Sequence, residues 1–433
     1  MKSRPWRQRC TGEEITSEAV LLECLAPPAL VKGRTIQGLD LEAHLEALAA
    51  IDLEDVIFLG CTFGEAGGEL ELIKRGAAIF PRIKGLPYQP YRSALYSVPE
   101  LMEGHDAGGY PATRDFKIYE HFDRARRRET GVGLRETLAQ RLHDHAIDDA
   151  LEELLTRASG RGVIAIMGGH GTGRSDPYFH AVAHLTWSLT RAGYFVATGG
   201  GPGIMEAGNL GAFFANYSDP QVIDDVINTL AEADTFAGGE EQGTQAYLDA
   251  IRRYFQLGQE VLARFTGEVD PAIAERYGRE SPEPGQSLAI PTWFYGHEPS
   301  NLWSNHIAKY FSNSLREDGL LAIATAGVVF APGSAGTMQE VFMDLAQNHY
   351  ATFRYRSPMV FLGKERWSSL FNLVQEFVGS RGGAELYGDL IGLVDTASEA
   401  FGFIEAHEPR LRESKPPLYE LLGSEGSQTE AAT

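Results

Sequence analysis

The stretch Gly327–Tyr350, GVVFAPGSAGTMQEVFMDLAQNHY, joins a buried-strand pattern to a run of small residues and a carboxylate. Val328, Val329 and Phe330 read as a strand running into Pro332-Gly333-Ser334-Ala335-Gly336-Thr337, with a helix beyond that carries Glu340 in its first turn. Small side chains let backbone N–H groups crowd around an anion, and a helix N-terminus adds roughly half a positive charge. A phosphate bound at Gly333–Thr337 would repel a carboxylate in that turn. Glu340 is therefore better placed against a neutral part of the ligand, such as a ribose hydroxyl. A phosphate cradle beside a carboxylate points to a nucleotide site with chemistry near the sugar.

Two earlier loops carry similar signals. Gly168-Gly169-His170-Gly171-Thr172-Gly173-Arg174-Ser175 has P-loop spacing, but Arg174 stands where the lysine belongs. Asp176-Pro177 reads as a helix N-cap and first position, which puts the helix beyond the loop rather than within it. A dinucleotide fingerprint also fails, because its third glycine falls one position early. The better reading is a nucleotide-facing loop, with Gly168 and Gly169 close to the ligand and Arg174 as an anion contact. The second loop, Thr198-Gly199-Gly200-Gly201-Pro202-Gly203, leaves room for a ligand to approach the backbone, and Glu206 follows at a helix start. Between these loops and Glu340 lies Pro291-Thr292-Trp293-Phe294-Tyr295-Gly296-His297. There Tyr295 is placed to stack on a base, and His297 to protonate a leaving purine or simply to pack.

Taken together, the two later loops resemble the LOG family, the cytokinin-activating phosphoribohydrolases and related nucleoside-monophosphate nucleosidases. Its motifs GGGxxGxM and PGGxGTxxE correspond here to Gly199-Gly200-Gly201-Pro202-Gly203-Ile204-Met205, one residue shorter, and to Pro332–Glu340 with Ser334 at the second glycine. The resemblance spans roughly residues 160–405 without an internal insertion. The chain's length and long N-terminal region look more like the larger bacterial purine/pyrimidine nucleotide nucleosidases. The resemblance implies a Rossmann-like core, hydrolysis of the N-glycosidic bond of nucleoside 5′-monophosphates to free base and ribose 5-phosphate, and no metal or other cofactor. It also implies at least a homodimer with sites near the subunit interface. By the motif, Glu340 and an upstream arginine, Arg316, are the expected catalytic residues. The family's Arg-Lys pair is Arg316-Glu317 here, and Arg316 sits one residue further from the loop than expected. That offset turns a helical side chain by about 100°. A non-catalytic nucleotide-binding or sensor protein on the same fold is the competing reading.

The elements that must position these residues read as alternating β and α from Arg161 onward. Strands are expected at Val163–Met167, Tyr194–Thr198, Ser287–Phe294, Gly327–Phe330 and Met359–Leu362. Helices are expected at Tyr178–Ala192, from Ile204, near Asn301–Ala324, and at Trp367–Val378. Such alternation predicts an α/β fold, a parallel sheet with helices on both faces and ligands at the carboxyl ends of its strands. Residues 219–286 read as a helical, acidic insertion, a candidate to gate the site, to respond to an effector nucleotide or to form an oligomer surface. Residues 1–155 read as an N-terminal α+β unit, with short strands at Ala19–Leu25 and Asp55–Leu59 and helices at Leu41–Ala50 and Leu134–Leu155. Arg82, Lys84 and Arg92 lie in a Pro- and Tyr-rich loop within it. The catalytic unit is expected over 156–410, followed by a polar tail at 411–433.

At 433 residues two domains are the prior, and 43% hydrophobic with 22% charged residues fits a globular protein. A formal net charge of −21 argues against a nucleic-acid surface, although a local basic pocket for a nucleotide remains allowed. Three cysteines, Cys10, Cys24 and Cys61, show neither disulfide nor zinc spacing. No signal-peptide core follows the basic start and no run reaches the roughly 18 apolar residues of a membrane span. A cytoplasmic protein without membrane partners is expected.

Overall fold

The computed structural model describes residues 14–26, 30–64, 67–158, 160–295 and 299–412. Its centre is a sheet whose strands alternate between two apolar cores, as period-2 side-chain geometry requires. Val163, Ala165 and Met167 enter one core, and Ile164 and Ile166 the other. The same split divides Val328 and Phe330 from Val329, and Met359 and Phe361 from Val360 and Leu362. A strand apolar on both faces belongs in a parallel sheet covered by helices on both sides.

Seven parallel strands form this sheet, in the spatial order Ile391–Val394, Met359–Leu362, Gly327–Phe330, Val163–Met167, Phe195–Thr198, Ser287–Ala289, His306–Ile307. The helices Pro177–Arg191, Ile204–Phe213 and Ala397–Ala406 cover one face through Val182, Leu210 and Ile404. The helices Leu134–Ala158, Asn313–Ile323, Ala335–Tyr350 and Lys364–Ser380 cover the other through Leu151, Leu320, Leu345 and Val374. The chain leaves Val163–Met167 toward one edge and later returns to its other side at Gly327–Phe330. The helices following these two neighbours lie on opposite faces, so their connecting loops diverge and leave a crevice at the strand ends.

A second, four-stranded sheet, Glu14–Ile15, Thr35–Gln37, Ile57–Leu59 and Ala78–Phe80, is also parallel, with strands in sequential order and a core of its own around Leu21, Ile36, Phe58 and Leu72. From Tyr88 to Leu155, most buried apolar side chains, among them Tyr96, Ile118, Phe122 and Leu151, join the core of the large sheet, while Tyr110 packs with Ile251, Phe255 and Leu302. Arg92 is held in a bidentate pair with Glu100, at 2.8 and 2.9 Å, and lies over the Tyr96 ring.

Several local expectations are corrected. Glu18–Leu25 is a helix, not a strand: the Ser17 side chain caps it by accepting from Val20 N, and Leu21 and Cys24 are buried three residues apart. The strand from Ser287 ends at Ala289, shortly before Pro291, which has no N–H for a ladder. The stretch after Asn301 first forms the edge strand His306–Ile307, and its helix begins only at Asn313. The insertion is helical, with Gln221–Leu230, Gln245–Phe265 and Pro271–Tyr277, and packs through Val222, Val226 and Leu257 onto the core that includes Pro177–Arg191. Among the described residues, no helix is long and apolar enough to cross a membrane. The expected tail falls almost wholly outside the described residues, which end at Arg412.

Candidate active site

At the carboxyl ends of the central strands lies a cleft of ≈ 310 Å³, within the size range of small-ligand sites. Three loops form its floor: Gly168, Gly169 and His170 from the first; Gly199, Gly201 and Met205 from the second; Ser334, Gly336 and Thr337 from the third. Gly169 joins all three. Its N–H donates to Pro332 O at 3.0 Å, and its carbonyl accepts from Ile204 N at 3.1 Å. The approach is so close that a Cβ on Gly203, at φ +69°, would lie 2.4 Å from Gly169 O. Gly333 is similarly constrained, since a Cβ there would meet Thr337 Oγ1 at 2.0 Å. Gly200, Gly203, Gly333 and Ala335 do not line the cleft. Gly200, at φ +80°, shapes the second turn and accepts from Asn301 N at 2.8 Å.

The Asp176 side chain caps the helix Pro177–Arg191 by accepting from Tyr178 N at 2.7 Å, so that helix does begin beyond the first loop. The third loop instead leads directly into Ala335–Tyr350. Ser334 provides no side-chain cap for this helix, and Ser334, Gly336 and Thr337 border the cleft. The anion donors available there are backbone N–H groups at a helix N-terminus. Glu340 is not in the first turn, as expected, but is the sixth helical residue. It lies about 7.5 Å along the axis from Ala335. That separation places the carboxylate well away from an anion at the helix start.

Arg316, on Asn313–Ile323, meets Glu340 despite its offset. Nη1 lies 3.5 Å from Glu340 Oε1, Nε donates to Ile290 O at 3.1 Å, and both side chains are only 13% exposed. A Cβ on Gly199 would stand 2.3 Å from Arg316 Nη2. The second loop's glycine is therefore the space that the guanidinium fills. A second carboxylate, Glu317, also borders the cleft and accepts from Asn313 Nδ2 at 2.8 Å and Gln339 Nε2 at 3.0 Å. Tyr295 also lines the cleft, 45% exposed, with its hydroxyl accepting from Asn313 Nδ2 at 3.1 Å, the amide that also bonds Glu317. His297 lies outside the described residues.

Arg174 and Glu206 are placed elsewhere. Arg174 is buried behind the first loop, paired with Glu206 at 2.6 Å and donating to Leu230 O and Ala233 O. Neither side chain lines the cleft. An arginine after a glycine loop looks like an anion contact, and only the packing of the insertion shows where its charge is satisfied. Sequence reasoning did not select Thr292, His170 or Met205 as lining, and took Glu317 only as a departure from a motif. Met205 alone carried a usable signal, its place in that motif.

No family model matches the chain, and no curated protein matches it. Among solved structures, it is similar to the molybdenum cofactor binding protein from the phototrophic bacterium Rippkaea orientalis, at 12% identity and a TM-score of 0.32, covering 57% of this chain and 97% of that one. It is also similar to the Moco carrier protein from Chlamydomonas reinhardtii, at 13% identity and a TM-score of 0.30, over 57% and 97% of the two chains. At these identities and TM-scores nothing about ligand or activity is drawn from them.

Proposed function

We propose that the chain is a LOG-type nucleosidase that hydrolyses the N-glycosidic bond of nucleoside 5′-monophosphates to free base and ribose 5-phosphate. The observation that carries this reading is the Arg316–Glu340 pair, 3.5 Å apart in a cleft that also holds the N-terminus of the Glu340 helix. In the proposed pose, backbone N–H groups at Ser334–Thr337 bind the 5′-phosphate, and its binding energy is available to the reacting carbon some distance away. Glu340 then lies beside the ribose. As the C1′–N bond breaks, its electron pair leaves with the base and C1′ gains oxocarbenium character, which the carboxylate stabilises. Water oxygen bonds to C1′, and the proton it loses passes by way of Glu340 to the departing base, which leaves neutral and returns the carboxylate to its ionised form. Arg316 holds the carboxylate in place through its paired bonds to Glu340 and Ile290 O. Tyr295 offers the base an aromatic face.

Chromatography of ribo- and deoxyribonucleoside monophosphates after incubation with the purified protein tests this. Base release is expected from at least one monophosphate, with a loss of about 10³-fold or more in Glu340→Ala and nucleotide binding retained. Binding without release from any substrate would replace the enzyme by a non-catalytic nucleotide-binding protein on the same fold. We further propose that the protein self-associates through the exposed Phe342, Tyr350, Leu373 and Phe377 of the adjacent helices Ala335–Tyr350 and Lys364–Ser380.

A further inference from the structure

Behind the cleft, the first two glycine loops and the helical insertion meet in one buried cluster. Glu206 stands in the first turn after the second loop, and its carboxylate is saturated. Oε1 accepts from Arg174 Nη2 at 2.6 Å and from Trp303 Nε1 at 3.2 Å, and Oε2 from Arg174 Nε at 3.2 Å and the Tyr254 hydroxyl. Arg174 closes the first loop. Its remaining Nη1 donates to Leu230 O and Ala233 O, at the end of the insertion's first helix, and its guanidinium lies 3.5 Å from the Tyr254 ring centroid. Tyr254 belongs to the insertion's long helix, Gln245–Phe265. A second tether runs from Asp234, whose Oδ1 accepts from Ser175 N at 2.7 Å and whose carbonyl accepts from Arg174 N at 2.9 Å. Pro202 of the second loop borders the same cluster.

We infer that the insertion sets the shape of the nucleotide cradle through this clamp, with Tyr254 as a positioning residue. A buried ion pair is strong only while every hydrogen-bonding position is filled. The Tyr254 hydroxyl fills one of them from outside the sheet. The two halves of the cleft are held differently. The first two glycine loops lead into helices on the face where the insertion packs, whereas Arg316 and Glu340 sit on helices of the opposite face. Slackening the clamp loosens the first two glycine loops, while Arg316 keeps its bond to Ile290 O and Glu340 stays on a helix that the clamp does not touch. In terms of the nucleosidase reading, on which this part rests, ligand affinity changes and the chemical step does not.

Tyr254→Phe keeps the ring over Arg174 and removes only the hydroxyl. Asp234→Ala removes the exposed side-chain half of the second tether, its bond from Ser175 N, and guards against a variant that fails to fold. In the full-length chain, with adenosine 5′-monophosphate among the monophosphates assayed, either variant is expected to raise KM about tenfold and leave kcat within about twofold. Amide hydrogen exchange across residues 168–175 and 199–206 is expected to quicken in both. Unchanged exchange in these loops, or a fall in kcat at constant KM, overturns the inference. If the wild type releases no base, the proposed reaction falls, and the exchange measurement still decides the clamp.

Discussion

Gly199 sits where the Arg316 guanidinium needs open space, so two residues more than a hundred positions apart have one steric requirement. A Cβ at that site would lie 2.3 Å from Nη2 and 2.6 Å from Met205 Sδ. Arg316 would then give up its bond to Ile290 O or its approach to Glu340. Gly199→Ala is expected to lower kcat/KM about ten- to hundredfold, as displacement of a catalytic group by about 1 Å does. Steady-state base release beside a circular dichroism spectrum checks this; full activity would show that Arg316 needs no such room. The glycine was legible as a permissive loop residue. What fills the space was not, because the arginine arrives from a helix on the other face of the sheet.

The helix Ala335–Tyr350 carries a second carboxylate, Asp344, one turn beyond Glu340. It is buried, its Oδ2 has no hydrogen-bond partner among the described residues, and burial pushes its pKa up to about 8 from an ordinary 3.8. Between pH 4 and 8 the folded chain therefore keeps a proton that the unfolded chain has lost. The associated stability is fully present below pH 4 and is lost as pH rises toward 8, by roughly 1.4 kcal/mol per unit at most. Asp344→Asn removes this dependence. Denaturant melts should show the variant gaining stability over wild type at pH 8, with the gain shrinking at pH 5. An equal difference at both pH values would mean that the carboxyl does not titrate as its burial demands. The sequence marks this helix by its loop and its Glu340, while the burial of Asp344 depends on what packs around it.

For the molecule as a whole, the exposed apolar residues Phe342 and Tyr350 lie on the Glu340 helix, and Leu373 and Phe377 on Lys364–Ser380, which meets it where His349 packs on Phe377. Apolar area on two adjacent helices is what a second copy would cover. Multi-angle light scattering of the wild type should report an oligomer, and Phe342→Asp should shift it toward monomer, because a buried unpaired charge opposes association. A monomeric wild type would remove the proposed interface. Any copies must also associate against a formal net charge of −21, so added salt should favour assembly.

The sequence alone did not mark Ile391–Val394 or Ala397–Ala406, but it was enough for the parallel sheet and five of its seven strands, for most of the helices that cover it and for the two motif loops. These follow from local causes: apolar runs with strand length, helical spacing, and glycines where backbones must crowd. The same local reasoning mistook Glu18–Leu25 for a strand, because a short apolar run does not reveal its period until its buried side is known. It likewise extended one strand and one helix through Pro291 and the edge strand at His306–Ile307. Which of two similar charged pairs faces the cleft was a tertiary matter. Arg316 with Glu340 and Arg174 with Glu206 both join an arginine to a glutamate near a glycine loop. The first pair lines the cleft, and the second is closed off by an insertion whose packing depends on contacts distant in the chain. Charge type and spacing can nominate such residues, but exposure is set by what the rest of the chain places over them.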